Sequence, residues 1–540
     1  MSAVARLRPV GESALTIELG EGIDPAAGAR VRALDASLAR DPLPGVIETV
    51  PSFRALLVLY DPLRVSAGDV QEAVRARLDA PAGPEAPPRL HRVPVRYGGE
   101  DGPDLLDVAQ RTGLDPGRVV ELHTSRDYTA FMLGFMPGFA YLGPLPPELE
   151  LPRRPTPRPR VPAGSLGIAG GQTAVYPAST PGGWHLLGRT SLRLFDPADD
   201  PPARIRPGDR VRFVAVESLP EPEPRRPVAG VASPATIEVV EPGLLTTVQD
   251  AGRTGRRRFG VGGAGPMDER GLAEANRLAG NPSGTAALEC TASGPALRFL
   301  AAAHFAVTGA DLGAVLHRAD LGAWPVPPGV RVFARAGNVL AFEGRRHGCR
   351  AYVAVTGGID VPPVLGSRST DLPGGFGGFE GRSLRGGDHL PVGPPVTPAR
   401  REASPLPLPD GPGDVATLRV IPGPQEDLFT VEAMRRFLSV EYRVHATSDR
   451  VGCRLEGPPL AHRGPSEVVS DGMLPGCIQV PPDGQPIVMG ADSPTTGGYP
   501  KIATVISADR PRLAQLLPGQ ARVRFEAVTV EQALRAMMAG

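Results

Sequence analysis

The chain has 540 residues, enough for about three or four domains, and is therefore expected to fold as several units. Its 58 basic residues balance its 58 acidic residues, so no overall charge would attract nucleic acid or an anionic membrane. Glycine (67) and proline (64) are abundant while 41% of the residues are hydrophobic, which indicates a mainly β protein rich in turns.

The cysteine and apolar patterns indicate a cytoplasmic protein. The four cysteines include no CxxC pair, so neither a disulfide framework nor a metal site is predicted. The N-terminal sequence lacks the unbroken apolar stretch of a signal peptide. No later stretch approaches the roughly 18 apolar residues of a membrane span. We therefore expect a cytoplasmic location and no membrane partner.

The first half of the chain divides at a proline-rich stretch. Residues 1–85 alternate short apolar strands with amphipathic helices, which predicts a small α+β domain. The sequence PAGPEAPP (81–88) interrupts regular structure because proline fixes φ and removes a donor. Short strands and dense turn sequences then predict a β domain over 86–218.

The second half begins after a linker over 219–236, whose spaced prolines and charges favour an extended polyproline conformation. Residues 237–395 predict a β-rich domain that contains one helix, over 266–279. A second proline-rich stretch at 391–412 marks the start of a final β domain, which we place over 396–540.

A weak internal repeat connects the two β domains. STPGGWHLLGRT (179–190) and RPGDRVRFVAV (206–216) parallel SPTTGGYPKIAT (493–504) and LPGQARVRFEAV (517–528). A Gly-Gly-aromatic turn, a Pro-Gly turn and a closing RVRF strand recur in the same order. We infer one related fold used twice. The alternative is a chance similarity between glycine-rich turns.

Lys501 is the only lysine among the 58 basic residues. Its surroundings match no P-loop, biotin-carrier or Ser-Ser-Lys amidase motif, so these enzyme classes are excluded. The other basic residues are arginines, so a lysine retained here indicates a place where a compact ammonium fits and a planar guanidinium does not. This favours a role for Lys501 in a functional site. We expect arginine at this position to lower activity and leave the fold intact. The alternative is a surface lysine retained by chance.

Two segments of the first half have the composition of a binding site. FMLGFMPGFAYLG (131–143) combines aromatic side chains with glycines that allow close approach of a ligand, although a core with a tight turn has the same pattern. PRRPTPRPR (152–160) is a proline-stiffened loop that carries Arg158 and Arg160, and Gln172 follows it. Such arginines can bind carboxylate or phosphate, or form a solvated basic loop.

The second half offers a further group of polar residues after a predicted strand. Gln249, Asp250 and Arg253 occupy this position, where ligand groups are common on β scaffolds. Turn capping by Asp250 and a surface salt bridge are the alternative. GVGGAG (260–265) matches GxGxxG but has no strand directly before it, so it predicts only a glycine-rich turn into a helix.

These motifs resemble two known protein families. The aromatic and arginine segments, with GGWHLLGRTSLRLFDP (182–197), resemble the B subunit of 5-oxoprolinase over residues 1–218. GLLTTVQDAGRTGRRRFGV (243–261) and SDGMLPGCIQVPPDGQPIVMGADSPTTGGYPK (470–501) resemble the C subunit of the same enzyme, over 237–530. The chain therefore resembles a natural fusion of the two. Ser493 and Pro494 depart from the usual family pattern, which leaves the exact substrate open.

The resemblance implies both a fold and a reaction. Each half is expected to contain a cyclophilin-like β-barrel domain related to the carboxyltransferase domain of urea carboxylase. The chain is expected to complete the ATP-dependent hydrolysis of 5-oxo-L-proline to L-glutamate together with a separate partner, the A subunit of 5-oxoprolinase. That partner would bind the ATP, and no covalently bound cofactor is expected on this chain. A homo-oligomer is compatible with this assignment.

The resemblance also implies candidate site residues. The catalytic candidates are Lys501 and, as bases, Asp449 and Asp492. The substrate-binding candidates are Arg158, Arg160, Gln172, Gln249, Asp250, Arg253, Arg450, Gln479, Thr495, Thr496 and Tyr499.

Two other functions fit the same resemblance. One is a carboxyltransferase component that acts on a urea-like or amide substrate and receives carboxybiotin from another chain. The other is a regulator that binds a histidine kinase through the first half. A prolyl isomerase would rest on the cyclophilin-like fold alone, and a fold does not determine a function.

Overall fold

The residues described by the computed structural model are 5–79, 87–223, 233–395 and 415–539. Large parts of the three predicted proline-rich stretches, at 81–88, 219–236 and 391–412, lie outside the described residues. Within the described ranges, no helix is long and apolar enough to cross a membrane.

The N-terminal unit is a four-stranded antiparallel sheet with two helices, as the sequence predicts. Its elements are β1 (Arg6–Pro9), β2 (Ala14–Glu18), α1 (Pro25–Arg40), β3 (Val46–Pro51), β4 (Ala55–Tyr60) and α2 (Ala67–Asp79). The strand order is β1-β2-β4-β3. Helix α1 begins at Pro25 because Asp24 accepts hydrogen bonds from the N–H groups of Ala26 and Ala27.

Strand β4 is buried on both faces of this sheet. Leu56 and Val58 pack in the core beneath α1 and α2. Leu57, on the opposite face, packs against Met473 and Leu474 from the C-terminal part of the chain. Because alternate strand residues face opposite sides, this second apolar face is an interface between the two halves.

The first barrel follows, and its elements are β5 (Leu90–Tyr97), α3 (Leu105–Thr112), α4 (Pro116–Thr124), β6 (Tyr128–Leu133), β7 (Ala140–Gly143), β8 (Arg158–Val161), β9 (Ser165–Ala169), β10 (Gln172–Val175), β11 (Thr180–Gly182), β12 (His185–Arg189) and β13 (Arg210–Ala215). Seven strands close in the order β10-β7-β6-β13-β5-β12-β9. Strands β5 and β13 run parallel, and the other neighbouring pairs are antiparallel. Strands β8 and β11 form a separate ribbon.

Two packed sheets and one helix form the next unit. Its elements are β14 (Ala235–Glu241), β15 (Leu245–Gln249), α5 (Glu269–Ala279), β16 (Ala287–Thr291), β17 (Ala296–Phe299), β18 (Ala303–Asp311), β19 (Ala314–Arg318), β20 (Gly322–Pro325), β21 (Val330–Ala334), β22 (Val339–Phe342), β23 (His347–Val355) and β24 (His389–Pro391). The sheet orders are β20-β19-β22-β17-β14-β24 and β15-β16-β23-β18-β21. Helix α5 lies within the predicted range and ends at Gly280, which adopts a φ of 80°.

The second barrel completes the chain. Its elements are β25 (Val415–Pro422), α6 (Val431–Ser439), β26 (Tyr442–Val444), β27 (Gly452–Glu456), β28 (Asp471–Gly472), β29 (Cys477–Gln479), β30 (Ile487–Met489), β31 (Thr496–Gly497), β32 (Lys501–Val505), α7 (Arg510–Ala514), β33 (Arg522–Ala527) and α8 (Val530–Ala539). The strand order is β25-β32-β29-β30-β27-β26-β33. Strands β28 and β31 pair beside the barrel.

The two barrels have the same topology. Strand β33 pairs in parallel with β25, as β13 does with β5, and each of these C-terminal strands carries the repeated RVRF sequence. The remaining strands follow in equivalent order around each barrel. The structure thus confirms a mainly β protein in which a related barrel is used twice, and the repeat is more than a similarity between turns.

Candidate functional site

An open cavity of about 1170 Å³ lies between the two barrels, and we call it the interbarrel cavity. Strands and loops of both halves line it. Its aromatic lining consists of Phe135, Phe139, Tyr141, Tyr176 and Trp184 from the first barrel and Tyr499 from the second. Concave sites with aromatic walls and a few polar groups are typical of small-molecule binding.

Trp184 and Tyr499 occupy equivalent positions of the repeat. Each follows a Gly-Gly pair and lies just before the first strand residues of β12 or β32. Both line the interbarrel cavity, one from each barrel. The repeated motif therefore supplies one aromatic side chain to each side of the same cavity.

The aromatic segment packs edge to face, which fixes the shape of the wall. The Phe139 ring lies 4.9 Å from that of Tyr141 and 5.7 Å from that of Trp184, with interplanar angles of 66° and 83°. A glycine at 134 is required because a Cβ there would lie 1.8 Å from Thr496 Oγ1. Burial raises the pKa of Tyr141 to about 12, so its phenol stays protonated and can donate a hydrogen bond at neutral pH.

The arginine loop contributes Arg153 to the cavity, not the two predicted arginines. Arg158 Nη2 donates to Asp104 Oδ1 at 2.6 Å, and Arg160 Nε donates to Ser179 Oγ at 3.1 Å. Neither Arg158 nor Arg160 lines the interbarrel cavity, and Gln172 on β10 does not line it either. The proline-stiffened loop turns these side chains to different surfaces, which sequence spacing alone does not reveal.

Lys501 is fully buried, so a surface lysine retained by chance is excluded. Its Nζ donates to Asp471 Oδ1, and Gln425 Nε2 donates to Asp471 Oδ2 at 2.8 Å. Gln479 lies on the neighbouring strand and donates from Nε2 to the carbonyl of Tyr499 at 3.2 Å. These buried polar groups hold the start of strand β32 in place, next to Tyr499 at the cavity wall.

A second buried group is centred on Arg450. Its Nε and Nη2 donate to the two oxygens of Asp492 at 2.9 and 2.8 Å, and its Nη1 donates to Glu289. Glu289 also accepts from Tyr352 OH at 2.7 Å. Burial raises the pKa of Asp492, while Arg450 opposes the shift. Because Arg450 occupies both oxygens of Asp492, this carboxylate is poorly placed to exchange protons.

Asp371 is a buried carboxylate that the sequence motifs did not single out. Burial and the nearby charge of Asp492 raise its pKa to about 6, against the opposing effects of a Gly374 hydrogen bond and of Arg253. Its Oδ1 accepts from the N–H of Gly374 at 2.8 Å. Its raised pKa comes from burial and from Asp492, about 120 residues later in the chain, so no local sequence pattern marks it.

Other predicted residues stabilise loops. Asp449 is exposed at a turn, and its Oδ1 accepts from the N–H groups of Val451 and Gly452, which is the pattern of a turn cap. Asp250 accepts four hydrogen bonds, from Gly252 N, Ser367 Oγ, Arg368 N and Ser369 Oγ. These contacts are those of a residue that caps a turn, which was the alternative to a binding role for Asp250.

The remaining predicted residues are buried, and two of them, Arg253 and Thr496, lie at the boundary between the halves. Gln249 Nε2 donates to Thr247 Oγ1 at 3.0 Å. Thr495 and Thr496 are buried beside the aromatic segment, as the contact of Thr496 with position 134 shows. Arg253 lines a different cavity. The structure therefore gathers Gln479, Thr496 and Tyr499 at one place and Arg253, Arg450 and Asp492 at another.

Metal ligands do not cluster in the part of the chain that the structure describes. No group of three or more His, Cys, Asp or Glu side chains there could hold a metal ion. The four cysteines are buried thiols, and burial raises the pKa of each.

Comparison with known proteins assigns the chain to a family. Residues 5–205 match the family model for carboxyltransferase domain, subdomain C and D, and residues 259–527 match the one for subdomain A and B. The chain is 40% identical to the 5-oxoprolinase C subunit of Escherichia coli (strain K12), over 56% of the chain and 94% of that protein. It is 43% identical to the 5-oxoprolinase B subunit of Bacillus subtilis (strain 168), over 40% of the chain and 95% of that protein. The chain belongs to the family of the 5-oxoprolinase B and C subunits.

Solved structures agree with a fusion of the two proteins in this family. The crystal structure of TTHA0988 superposes with a TM-score of 0.83 at 38% identity, covering 96% of this chain and all of that one. The urea amidolyase of K. lactis matches with a TM-score of 0.52 at 33% identity, over 56% of this chain and 19% of that enzyme. The family fold thus extends to carboxyltransferase domains within larger enzymes.

Proposed function

We propose that the chain is the fused B and C component of an ATP-dependent 5-oxoprolinase. It would hydrolyse 5-oxo-L-proline to L-glutamate in the cytoplasm, together with a separate A subunit that binds ATP. The observation that carries the proposal is the match of each half to nearly the full length of a 5-oxoprolinase subunit. The interbarrel cavity supports it, because the cavity takes its lining from both halves.

The chemistry explains why such a cavity is needed. A lactam is stabilised by resonance, and the amine released by its hydrolysis readily closes the ring again. Phosphorylation of the carbonyl oxygen by ATP on the A subunit would activate the ring for attack by water. A cavity shared by the two halves would hold and orient the activated ring, so that hydrolysis occurs before the intermediate is lost.

The lining of the interbarrel cavity suits such a substrate. The rings of Tyr141 and Trp184 offer an apolar wall for the five-membered ring. Arg153 lies in the same cavity and has no ion-pair partner among the described residues, so its guanidinium is available to the substrate carboxylate. The protonated Tyr141 phenol could donate a hydrogen bond to an oxygen that gains charge during the reaction.

Among the buried carboxylates, Asp371 has a pKa closer to neutral pH than an ordinary aspartate, but it lies outside the interbarrel cavity. Its pKa of about 6 lies near neutral pH, where a general base is most effective. Asp492 is held at both oxygens by Arg450, and Asp449 caps a turn. Because Asp371 lies near Arg253 and Asp492 and does not line the interbarrel cavity, its pKa does not make it the base for a substrate bound there.

Reconstitution tests the proposed function directly. Glutamate release from 5-oxo-L-proline and ATP would be measured with the isolated A subunit, with this chain by itself and with both. We expect ATP-dependent release only when both are present. A Trp184→Ala variant should lower that rate, and the exposed Leu106→Ala variant serves as a matched control. The proposal would be rejected if adding the chain to its partner gave no increase.

A carboxyltransferase remains a second candidate because of two observations. The family models describe carboxyltransferase subdomains, and the chain resembles part of a urea amidolyase. The interbarrel cavity, at about 1170 Å³, could also admit a carboxybiotin carried by another chain. Transfer of labelled carboxylate from a carboxybiotin carrier to urea, with no glutamate release in the first assay, would favour this alternative.

A further inference from the structure

A second cavity, of about 570 Å³, lies where the N-terminal sheet, the two-sheet unit and the second barrel meet. We call it the junction cavity. Its charged lining includes Glu48 of the N-terminal sheet, Arg253, Arg257 and Arg270 of the two-sheet unit, and Arg510 of the second barrel. None of these five residues lines the interbarrel cavity, so the two cavities are separate.

Arg253 is a buried cation that forms no close ion pair, although Asp371, Asp250 and Asp492 lie near enough to act on its charge. It is only 4% exposed, and among the described residues no carboxylate oxygen lies within 4.0 Å of its guanidinium. Its Nε donates to the carbonyl of Val364 at 3.1 Å, and its Nη2 donates to the carbonyl of Ser369. Its Nη1 is buried and has no hydrogen-bond partner. Nearby carboxylates offset part of the charge, so the feature that points to a ligand is this buried donor, which costs free energy if it stays without an acceptor.

The surrounding arginines add to the positive charge. Arg257 Nε donates to Glu48 Oε1 at 3.0 Å, but its Nη1 is buried without a partner. Arg510 lies 3.1 Å from Glu269, and its Nε is likewise buried without a partner. Arg270 is exposed and forms no ion pair within the described part of the chain. Four arginines thus face three carboxylates, those of Glu48, Asp61 and Glu269.

We propose that the junction cavity binds phosphate, either as the inorganic ion or as the phosphoryl group of a small molecule, through Arg253 and Arg257. Guanidinium groups from several directions suit a tetrahedral, doubly charged oxyanion better than a planar carboxylate. The inference rests on the proposed function and deepens it, because ATP-driven opening of a lactam releases phosphate.

The size and the apolar lining of the cavity leave room for more than the ion. Ile47, Leu59, Met267, Met489 and Leu513 line the same space. An organic group attached to the phosphate could pack against these side chains. The two sources of the phosphoryl group are therefore a free ion and a phosphorylated small molecule, and they can be separated by experiment.

Calorimetric titration of the whole chain, without its partner, tests the site. Inorganic phosphate and ADP would be titrated separately at constant ionic strength, with L-glutamate as a carboxylate ligand. We expect phosphate or ADP to bind and glutamate not to compete. Tighter binding of ADP would identify a phosphorylated organic ligand, and tighter binding of phosphate would identify the free ion. Absence of binding by both, or competition by glutamate, would overturn the proposal.

Variants connect binding to the arginines. Arg253→Met should weaken phosphate binding at least about tenfold, and Arg270→Ala, at an exposed position, should weaken it about threefold without disturbing the fold. Arg160→Ala is the matched control, since this arginine lies outside both cavities. Melting temperatures establish that each variant is folded. If Arg253→Met does not fold, the phosphate affinity of Arg270→Ala tests the proposal by itself. Unchanged affinity in the folded variants would overturn the proposal. Phosphate binding without glutamate release in the reconstituted assay would instead reject only the proposed function.

Discussion

Lys501 of the second barrel and Asp471 of the two-stranded ribbon beside it form a buried ion pair, and neither side chain is more than 1% exposed. The lysine lies on β32 and the aspartate on β28, the short strand that pairs with Thr496 and Gly497. Gln425 links the two, because it donates to Asp471 and accepts from the backbone N–H of Lys501. This network explains why a compact ammonium is retained in a chain that otherwise uses arginine.

We predict that Lys501→Arg destabilises the protein. A guanidinium is larger than the ammonium that it replaces, and overpacking of a buried site costs about 1–3 kcal/mol. The sequence alone led us to expect that the fold would tolerate the change, and the burial of Lys501 is the reason for the different prediction. Chemical denaturation monitored by circular dichroism would measure the loss in the free energy of unfolding. An unchanged midpoint would show that the barrel adapts to the larger side chain.

A matched change tests the ion pair itself. Asp471→Asn leaves the Lys501 ammonium buried without its counter-charge, which should cost about 3 kcal/mol of the free energy of unfolding. A second single variant, Lys501→Met, leaves the Asp471 carboxylate buried without its counter-charge. The double variant Lys501→Met, Asp471→Asn should lose less unfolding free energy than these two single variants together, because no isolated charge remains. Additive losses would mean that the two side chains do not interact.

The repeat and the site differ in how far the sequence predicts them. The RVRF strands and Gly-Gly-aromatic turns are local patterns, and they correctly predicted two related barrels and placed Trp184 and Tyr499 in equivalent turns. The choice between Arg153 and Arg158 depends on where Asp104 lies, about 50 residues earlier in the chain. Burial of Asp371 likewise results from long-range packing, so no local pattern reveals its shifted pKa.

Two arginines of the same loop provide a test of the interbarrel cavity. Arg153 lines this cavity and Arg160 does not. Under the proposed function, Arg153→Ala should raise the KM for 5-oxo-L-proline about tenfold, because a charge-assisted hydrogen bond to the carboxylate is lost. Arg160→Ala should leave KM within about twofold. Equal effects of the two changes on KM would show that Arg153 does not bind the substrate.

We also predict that the halves remain associated after the chain is cut between them. Arg257 and Glu48 form a buried ion pair across the interface, and Leu57 packs against Met473 and Leu474. A protease site inserted within 224–232 allows cleavage of the folded protein. Size-exclusion chromatography should then show one species that contains both fragments. Leu57→Arg introduces a charge into this apolar contact and should separate them, whereas the exposed Leu63→Arg serves as the control.

The pKa of Asp371 leads to a prediction about stability and pH. Its pKa rises from 3.8 to about 6 in the folded protein, so the folded state binds the proton more tightly than the unfolded chain does. This contribution to stability is fully present below about pH 4 and is lost as the pH rises through about 6. Asp371→Asn removes the titrating group, and the difference in unfolding free energy between parent and variant should change by up to about 3 kcal/mol across this window. Urea denaturation of both proteins from about pH 4 to about pH 8 measures this difference. The contributions of carboxylates that titrate alike in both proteins drop out of the comparison. Parallel curves across this range would show that Asp371 has an ordinary pKa in the folded protein.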